Sequence, residues 1–218
     1  MNNRWNKKEP KIIYKPRELN TFERMRIYSE IDKQYILEDF YRYFGTYDKK
    51  MYYRYSFTYP NIAFTKALRL AKYYKDKNKI KYLWYKILHR RMTTKYGFQI
   101  PIETEIGRGF YLGHHGSVVI NVSSKIGNNV NIGQCVTIGQ TNRGPKQGCP
   151  TIGNNVFVGP NSVVVGKITI GDNVLIAPLA YVNMDVPSNS IVLGNPARII
   201  PRNNATEKYI QNEIVGIN

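Results

Sequence analysis

The chain of 218 residues is short of several things, and each shortage excludes something. It has two cysteines, Cys135 and Cys149, too few for a disulfide framework, so a reducing, cytoplasmic setting is expected. It has three histidines (His89, His114 and His115) and no paired carboxylates near them, which leaves no plausible metal-ligand set. No run approaches the roughly 18 apolar residues of a membrane-spanning helix. No apolar stretch follows the basic residues 1–8, so no secretory signal is expected.

Acidic residues are also scarce: 15 Asp and Glu against 32 Lys and Arg, for a net charge of +17. The imbalance is local. Residues 1–100 carry 24 basic and 9 acidic side chains, and residues 101–218 carry 8 and 6. Fifteen of the 18 tyrosines also fall in the first hundred. The composition thus predicts a basic, Tyr-rich N-terminal region over 1–98, a near-neutral domain over 99–201, and a C-terminal tail with a short helix over 202–218.

What is abundant is a period of six. From Ile106 to Val186 an aliphatic residue opens each repeat, as in Ile126-Gly127-Asn128-Asn129-Val130-Asn131 and Ile170-Gly171-Asp172-Asn173-Val174-Leu175. Six suits neither a helix nor a long strand, but it does suit a parallel β-helix of short strands and regular corners. The aliphatic residue should point inward. The Gly or Asn behind it should take the corner, at positive φ. A second small or branched residue four places on (Val130, Val136, Val156, Ser162, Val174, Ala180) should pack beside it. The frame shifts twice. Ile106 and Leu112 share one frame, Ile120 to Ile138 a second, and Ile152 to Val182 a third. One shift lies just after His114 and His115. The other is the polar, Gly/Pro-rich stretch 140–150, read as a loop thrown out of the coil. Insertions in repeat folds gather on a binding face.

The N-terminal region reads as helical. A start at Thr21-Phe22-Glu23-Arg24 leads into Tyr28, Ile31, Tyr35, Phe40 and Phe44, and ends at Gly45. A second helix follows Pro60, with Phe64, Ala67, Leu68 and Ala71 on one face. A third runs from Ile80 to Met92 with Leu83, Trp84, Ile87 and Leu88. Residues 47–59 stay open between helix and loop. These helices should pack on the coil or on another subunit. Their basic, aromatic-studded surface offers an anionic membrane face as a further partner. Nucleic acid is disfavoured, since no known recognition motif is present.

The repeats, Leu112-Gly113-His114-His115-Gly116-Ser117-Val118-Val119-Ile120, the loop ending Cys149-Pro150, Asp185-Val186-Pro187 and Gly194-Asn195-Pro196-Ala197-Arg198-Ile199 together resemble the hexapeptide acyltransferases, most closely the serine acetyltransferase branch. The resemblance spans roughly residues 96–201. It implies a left-handed parallel β-helix, a homotrimer with active sites between subunits, and acetyl-CoA as the acyl donor. It places the general base at His114. A base that takes a hydroxyl proton during attack on a thioester is worth about 10²–10⁴-fold. Near the acceptor it points to Gln99 and Cys149, with Cys149 a gate or packing residue because direct transfer needs no covalent intermediate. His115, adjacent on a short strand, should point elsewhere than His114 and is a substrate-binding candidate or a structural residue. Along the groove for acetyl-CoA it points to Gly139, Thr141, Gly159 and Ala177, with Arg198 near the phosphates.

The sequence departs from the branch at three places. Gly113 stands where serine acetyltransferases have an aspartate, Gln99 where a second acid enters the coil, and Cys149 where a histidine ends the loop. Those groups orient the histidine and grip an ammonium. Their loss makes a sugar or saccharide hydroxyl, as in surface-polysaccharide synthesis, the expected acceptor. L-Serine is the alternative, and a non-catalytic scaffold or membrane-surface module is the alternative of another class.

Overall fold

The structure, a computed structural model, describes residues 34–215; the expected helix start at Thr21 and the positions Tyr28 and Ile31 lie outside them. Among the described residues, four helices precede the coil. Residues 34–44 belong to α1, which ends at Gly45. Helix α2 spans Lys49–Thr58, in the stretch that the sequence left open, and the Asp48 side chain accepts from Met51 N–H at its start. Helix α3, Pro60–Tyr74, opens on proline, whose missing N–H costs nothing in the first turn. Helix α4, Lys79–Tyr96, is capped by Asn78 and stopped by Gly97 at φ 78°.

The chain then winds into a three-sided parallel β-helix. The first face stacks Phe98–Gln99, Val118–Ile120, Thr137–Gly139, Val163–Val165 and Tyr181–Val182. The second stacks Glu105–Ile106, Lys125–Ile126, Thr151–Ile152 and Thr169–Ile170. The third runs from Tyr111–Leu112 through Asn131–Ile132, Phe157–Val158 and Val174–Ile176 to Ser190–Leu193. Arg198–Pro201 folds back antiparallel on Ser190–Leu193 and closes the bottom of the third face.

Register places like on like: Ile126 over Ile152, Ile132 over Val158, Ile120 over Ile138 and Val164. All are buried, as are the second-layer residues Val130, Val136, Val156, Ser162, Val174 and Ala180. Each aliphatic side chain taken from water contributes about 1.5–3 kcal/mol. At the open top, Phe64, Leu68 and Ala71 of α3 pack into the same core as Phe98 and Phe110, and so cap the solenoid.

Three expectations are corrected. The glycine directly behind the aliphatic residue does not sit at positive φ. It is required because the next coil leaves no room: a Cβ on Gly153 would lie 2.6 Å from Asp172 Oδ1 and 2.8 Å from the Gly171 carbonyl carbon. The left-handed conformation falls two residues later, at Asn129, Asn155, Asn173 and Asn189 on one corner and at Cys135, Asn161 and Leu179 on another. Asparagine tolerates it best. Second, the expected apolar face of α4 is reversed. Leu83, Trp84 and Ile87 are exposed, and the helix packs inward through Tyr85, His89, Met92 and Tyr96. Third, the short C-terminal helix does not form among the described residues. Residues 203–210 make successive turns, with Asn204 and Lys208 at positive φ. This segment returns up the third face: Asn173 Oδ1 accepts from Thr206, Asn131 Nδ2 donates to Tyr209 O, and Asn129 pairs with the Ile214 backbone.

Candidate active site

The two frame shifts have a geometric meaning. From the third face to the first, regular coils take six residues, as from Ile132 to Ile138, Val158 to Val164 and Ile176 to Val182; the top coil takes eight, from Leu112 to Ile120. The two extra residues bulge at the corner that carries His114 and His115. The bulge is held at both ends, by Gly113 N–H to Ile132 O (2.9 Å) and by Gly116 N–H to Tyr96 O (3.1 Å). Its histidines part. The His115 ring lies edge-on to Tyr96, with centroids 6.2 Å apart, while His114 lines a cleft of about 340 Å³.

Three separate parts of the chain build that cleft. The coil gives Tyr111, Asn131, Gln134, Phe157 and Pro160, α1 gives Arg42 and Tyr43, and the C-terminal segment gives Tyr209 and Gln211. Tyr43 packs on Tyr111 (4.3 Å) and Tyr209 on Phe157 (4.9 Å), so aromatic pairs form two of its walls. Arg42 is buried. It donates to Gln211 O (2.9 Å), Gly109 O (2.7 Å) and Asn131 Oδ1 (2.6 Å). Burial lowers its pKa to about 10, which still leaves it charged at neutral pH. The neighbouring Tyr43 hydroxyl is buried against the Leu112 backbone, and burial pushes its pKa well up.

The other predicted residues lie elsewhere. Gln99 is exposed on the first face, level with Val119, and does not line the cleft. Gly139 and Thr141 stand at the far edge of that face, where the loop departs; Thr141 and Gly148 close its base with paired 3.0 Å hydrogen bonds. Cys149 is half-buried at the same edge. Burial raises its thiol pKa, and a raised pKa opposes a thiolate role. Gly159 and Ala177 lie two and three coils down the histidine corner. Gly159 is buried, and its missing side chain is explained by the coil alone, since a Cβ would sit 2.6 Å from Pro178 N. Gly139 differs: a Cβ there meets nothing nearer than 3.5 Å, so its smallness is not required by the coil. Arg198 is exposed in the closing strand. Within one chain, the histidine and the loop base therefore occupy opposite edges of the first face.

The third histidine is structural. His89 is 8% exposed, its Nε2 lies 2.9 Å from Ile100 O, and burial lowers its pKa. A carbonyl can only accept, so Nε2 carries the proton. Among the described residues, no three His, Cys, Asp or Glu side chains gather as a metal site. No described helix is long and apolar enough to cross a membrane.

Residues 149–183 match the family model described as bacterial transferase hexapeptide (six repeats). These repeats are similar to those of the hexapeptide transferases. Homologues of this hexapeptide coil are serine acetyltransferases. It is 38% identical over 106 residues to the enzyme of Helicobacter pylori, covering 49% of this chain and 62% of that one. It is 37% identical over 113 residues to serine acetyltransferase 2 of Arabidopsis thaliana, covering 52% and 35%. The match thus spans from about a third to under two thirds of those relatives. Among solved structures, the serine acetyltransferase of Neisseria gonorrhoeae in complex with serine superposes with a TM-score of 0.61 at 25% identity, over 82% of this chain and 72% of that one. The soybean enzyme complexed with serine gives 0.59 at 29%, over 68% and 60%. The coil accordingly has the left-handed β-helix fold of these neighbours.

Sequence reasoning missed Arg42, Tyr111, Gln134 and Tyr209. Arg42 and Tyr209 lie outside the repeats, and no local pattern links them to His114. Gln134 carried one weak signal: it occupies the corner position directly below the bulge.

Proposed function

We propose that this protein is an acetyl-CoA-dependent O-acetyltransferase in which His114 is the general base. The observation that carries the reading is the position of His114: on the two-residue bulge, at the rim of a cleft, in a coil whose homologues are serine acetyltransferases. His114 takes the proton of the acceptor hydroxyl as its oxygen attacks the thioester carbonyl. The C–S bond then breaks, the proton passes to the departing thiolate, and an acetyl ester and CoA remain. A backbone N–H near the loop holds the developing oxyanion. In a homotrimer, the loop edge of one subunit would meet the histidine corner of the next and join groups that one chain keeps apart. Acetyl-CoA would then lie along that seam, past Gly139 and Thr141, with Arg198 toward its phosphates.

For the acceptor, the comparisons favour L-serine over a saccharide, because the relatives are serine acetyltransferases. The saccharide reading keeps one observation in its favour: Gly113 puts no carboxylate beside His114. Thiol release from acetyl-CoA with L-serine, against a panel of sugars and nucleotide sugars, decides between them. Saturable turnover of serine alone would end the saccharide reading. His114→Ala should lower kcat about 10²–10⁴-fold without dissociating the assembly; unchanged turnover in a trimeric variant refutes the mechanism.

A non-catalytic role at a membrane surface has its own support. The exposed stripe Ile80, Leu83, Trp84 and Ile87 on α4 is flanked by Lys79, Lys86, Arg90 and Arg91. Flotation with anionic vesicles at low and high salt tests it, and an absence of salt-sensitive binding removes it.

A further inference from the structure

We infer that the cleft beside His114 recognises its acceptor by a carboxylate, through Arg42, and does not need the acceptor to carry an amine. The inference rests on the acetyl-transfer reading and names the class of acceptor: a hydroxylated carboxylic acid.

Among the described residues, the hydrogen-bond partners of the buried Arg42 are all neutral. Gln211 O, Gly109 O and Asn131 Oδ1 use three of the five N–H donors of a guanidinium. The carboxylates that could have neutralised it are engaged elsewhere or exposed. Asp39 is paired with Arg69 and Glu38 with Arg108. Glu213, which is exposed, and Asp39 favour the Arg42 charge through space, but neither forms an ion pair with it. Among the described residues, no acidic side chain lines the cleft. A buried charge without a counter-ion is costly, and an arriving carboxylate, bound through the remaining donors, relieves that cost with charge-assisted bonds.

A second polar group of the cleft is neutral. Gln134 Oε1 is buried in the cleft wall with no hydrogen-bond partner among the described residues. It is an acceptor waiting for an O–H or N–H. A lone amide oxygen can receive a hydroxyl, but it cannot neutralise an ammonium as a carboxylate does. Tyr111 and the Tyr209–Phe157 pair supply aromatic surface in the same cleft. The cleft, about 340 Å³, falls in the size range of sites for ligands larger than a single small amino acid. The acceptor so inferred would set its carboxylate at Arg42, a hydroxyl at Gln134 and the reacting hydroxyl at His114.

The test compares acids with their neutral partners in the full-length protein: L-serine with L-serinamide, D-glycerate with D-glyceramide, and D-glucuronate with D-glucose, read as CoA thiol release. The acid of each reacting pair should have kcat/KM about 10- to 100-fold higher, and D-glycerate should match or exceed L-serine. Arg42→Gln should erase the acid preference and Arg42→Lys should restore part of it. Gln134→Leu should raise KM while the acid preference remains. Since Arg42 also ties α1 to the coil, the wild-type ratios stand as a test that no misfolded variant can spoil. Titration of D-glycerate followed by NMR gives a readout free of turnover, with weaker binding expected in Arg42→Lys. Equal turnover of acid and amide overturns the carboxylate inference and leaves acetyl transfer standing. Arg42-dependent glycerate binding without any thiol release does the reverse. A strict requirement for the amine also overturns it.

Discussion

Arg69 of α3 and Asp39 of α1 form a buried two-pronged ion pair, with Nε 2.8 Å from Oδ2 and Nη2 3.1 Å from Oδ1. The same guanidinium donates to Ile106 O at 2.7 Å and Gly107 O at 2.5 Å, and Asp39 Oδ1 accepts from Phe110 N–H. One pair thereby fastens two helices to the first coil. Burial pushes the Asp39 carboxyl above the usual carboxylate range, and Arg69 pulls against it.

Removing one partner leaves the other charge stranded. Arg69→Met should destabilise the protein by about 3–5 kcal/mol. Arg69→Met combined with Asp39→Leu should recover much of that loss. Urea denaturation of the two variants measures the difference, and a double variant no better than the single one would show that the pair is not the source.

The glycines of the coil divide by what a side chain would strike. Gly153→Ala forces a Cβ to within 2.8 Å of the Gly171 backbone and should cost about 1–3 kcal/mol or more. Gly139→Ala meets only methyl groups at 3.5 Å and should change stability by less than about 0.5 kcal/mol. If acetyl-CoA passes Gly139, that second variant keeps its Tm and raises KM for acetyl-CoA. Melting curves with donor kinetics separate the two effects.

His89 gives the fold a pH dependence with a definite sign. Burial lowers its pKa in the folded state, so the unfolded chain takes the proton first as pH falls. Its contribution is complete above the unfolded value of about 6.5 and is lost as pH drops through the lower folded value. His89→Gln keeps a donor for Ile100 O but cannot titrate, so its Tm should fall less than the wild type's between about pH 7 and pH 5. Equal losses in both proteins would assign the acid sensitivity elsewhere.

The repeat was legible because it is local. Inward residues recur every six positions, so Ile126, Ile132 and Ile152 could be placed from spacing alone, and the frame breaks located both the histidine bulge and the loop. The second-layer residues from Val130 to Ala180 followed from the same count. The glycines misled because two different constraints select the same residue: Gly153 is excluded from having a Cβ by the coil below it, while the turn itself falls to Asn155. Helix α4 misled because its more apolar stripe is the exposed one. Tyr85, His89, Met92 and Tyr96 are mixed in character, and only their contact with α3 and the first strand marks them as the inner face.

The sequence by itself determined the coil, its register, its two insertions and the histidine at the first of them, since each depends on residues within a turn or two of one another. Only the tertiary structure decided what surrounds that histidine. The cleft needs Arg42 from the first described helix, Gln134 from the second coil and Tyr209 from a segment that climbs back along the third face. Those residues meet because a solenoid stacks distant parts of the chain a few ångströms apart, and no period in the sequence records which of them will share a wall.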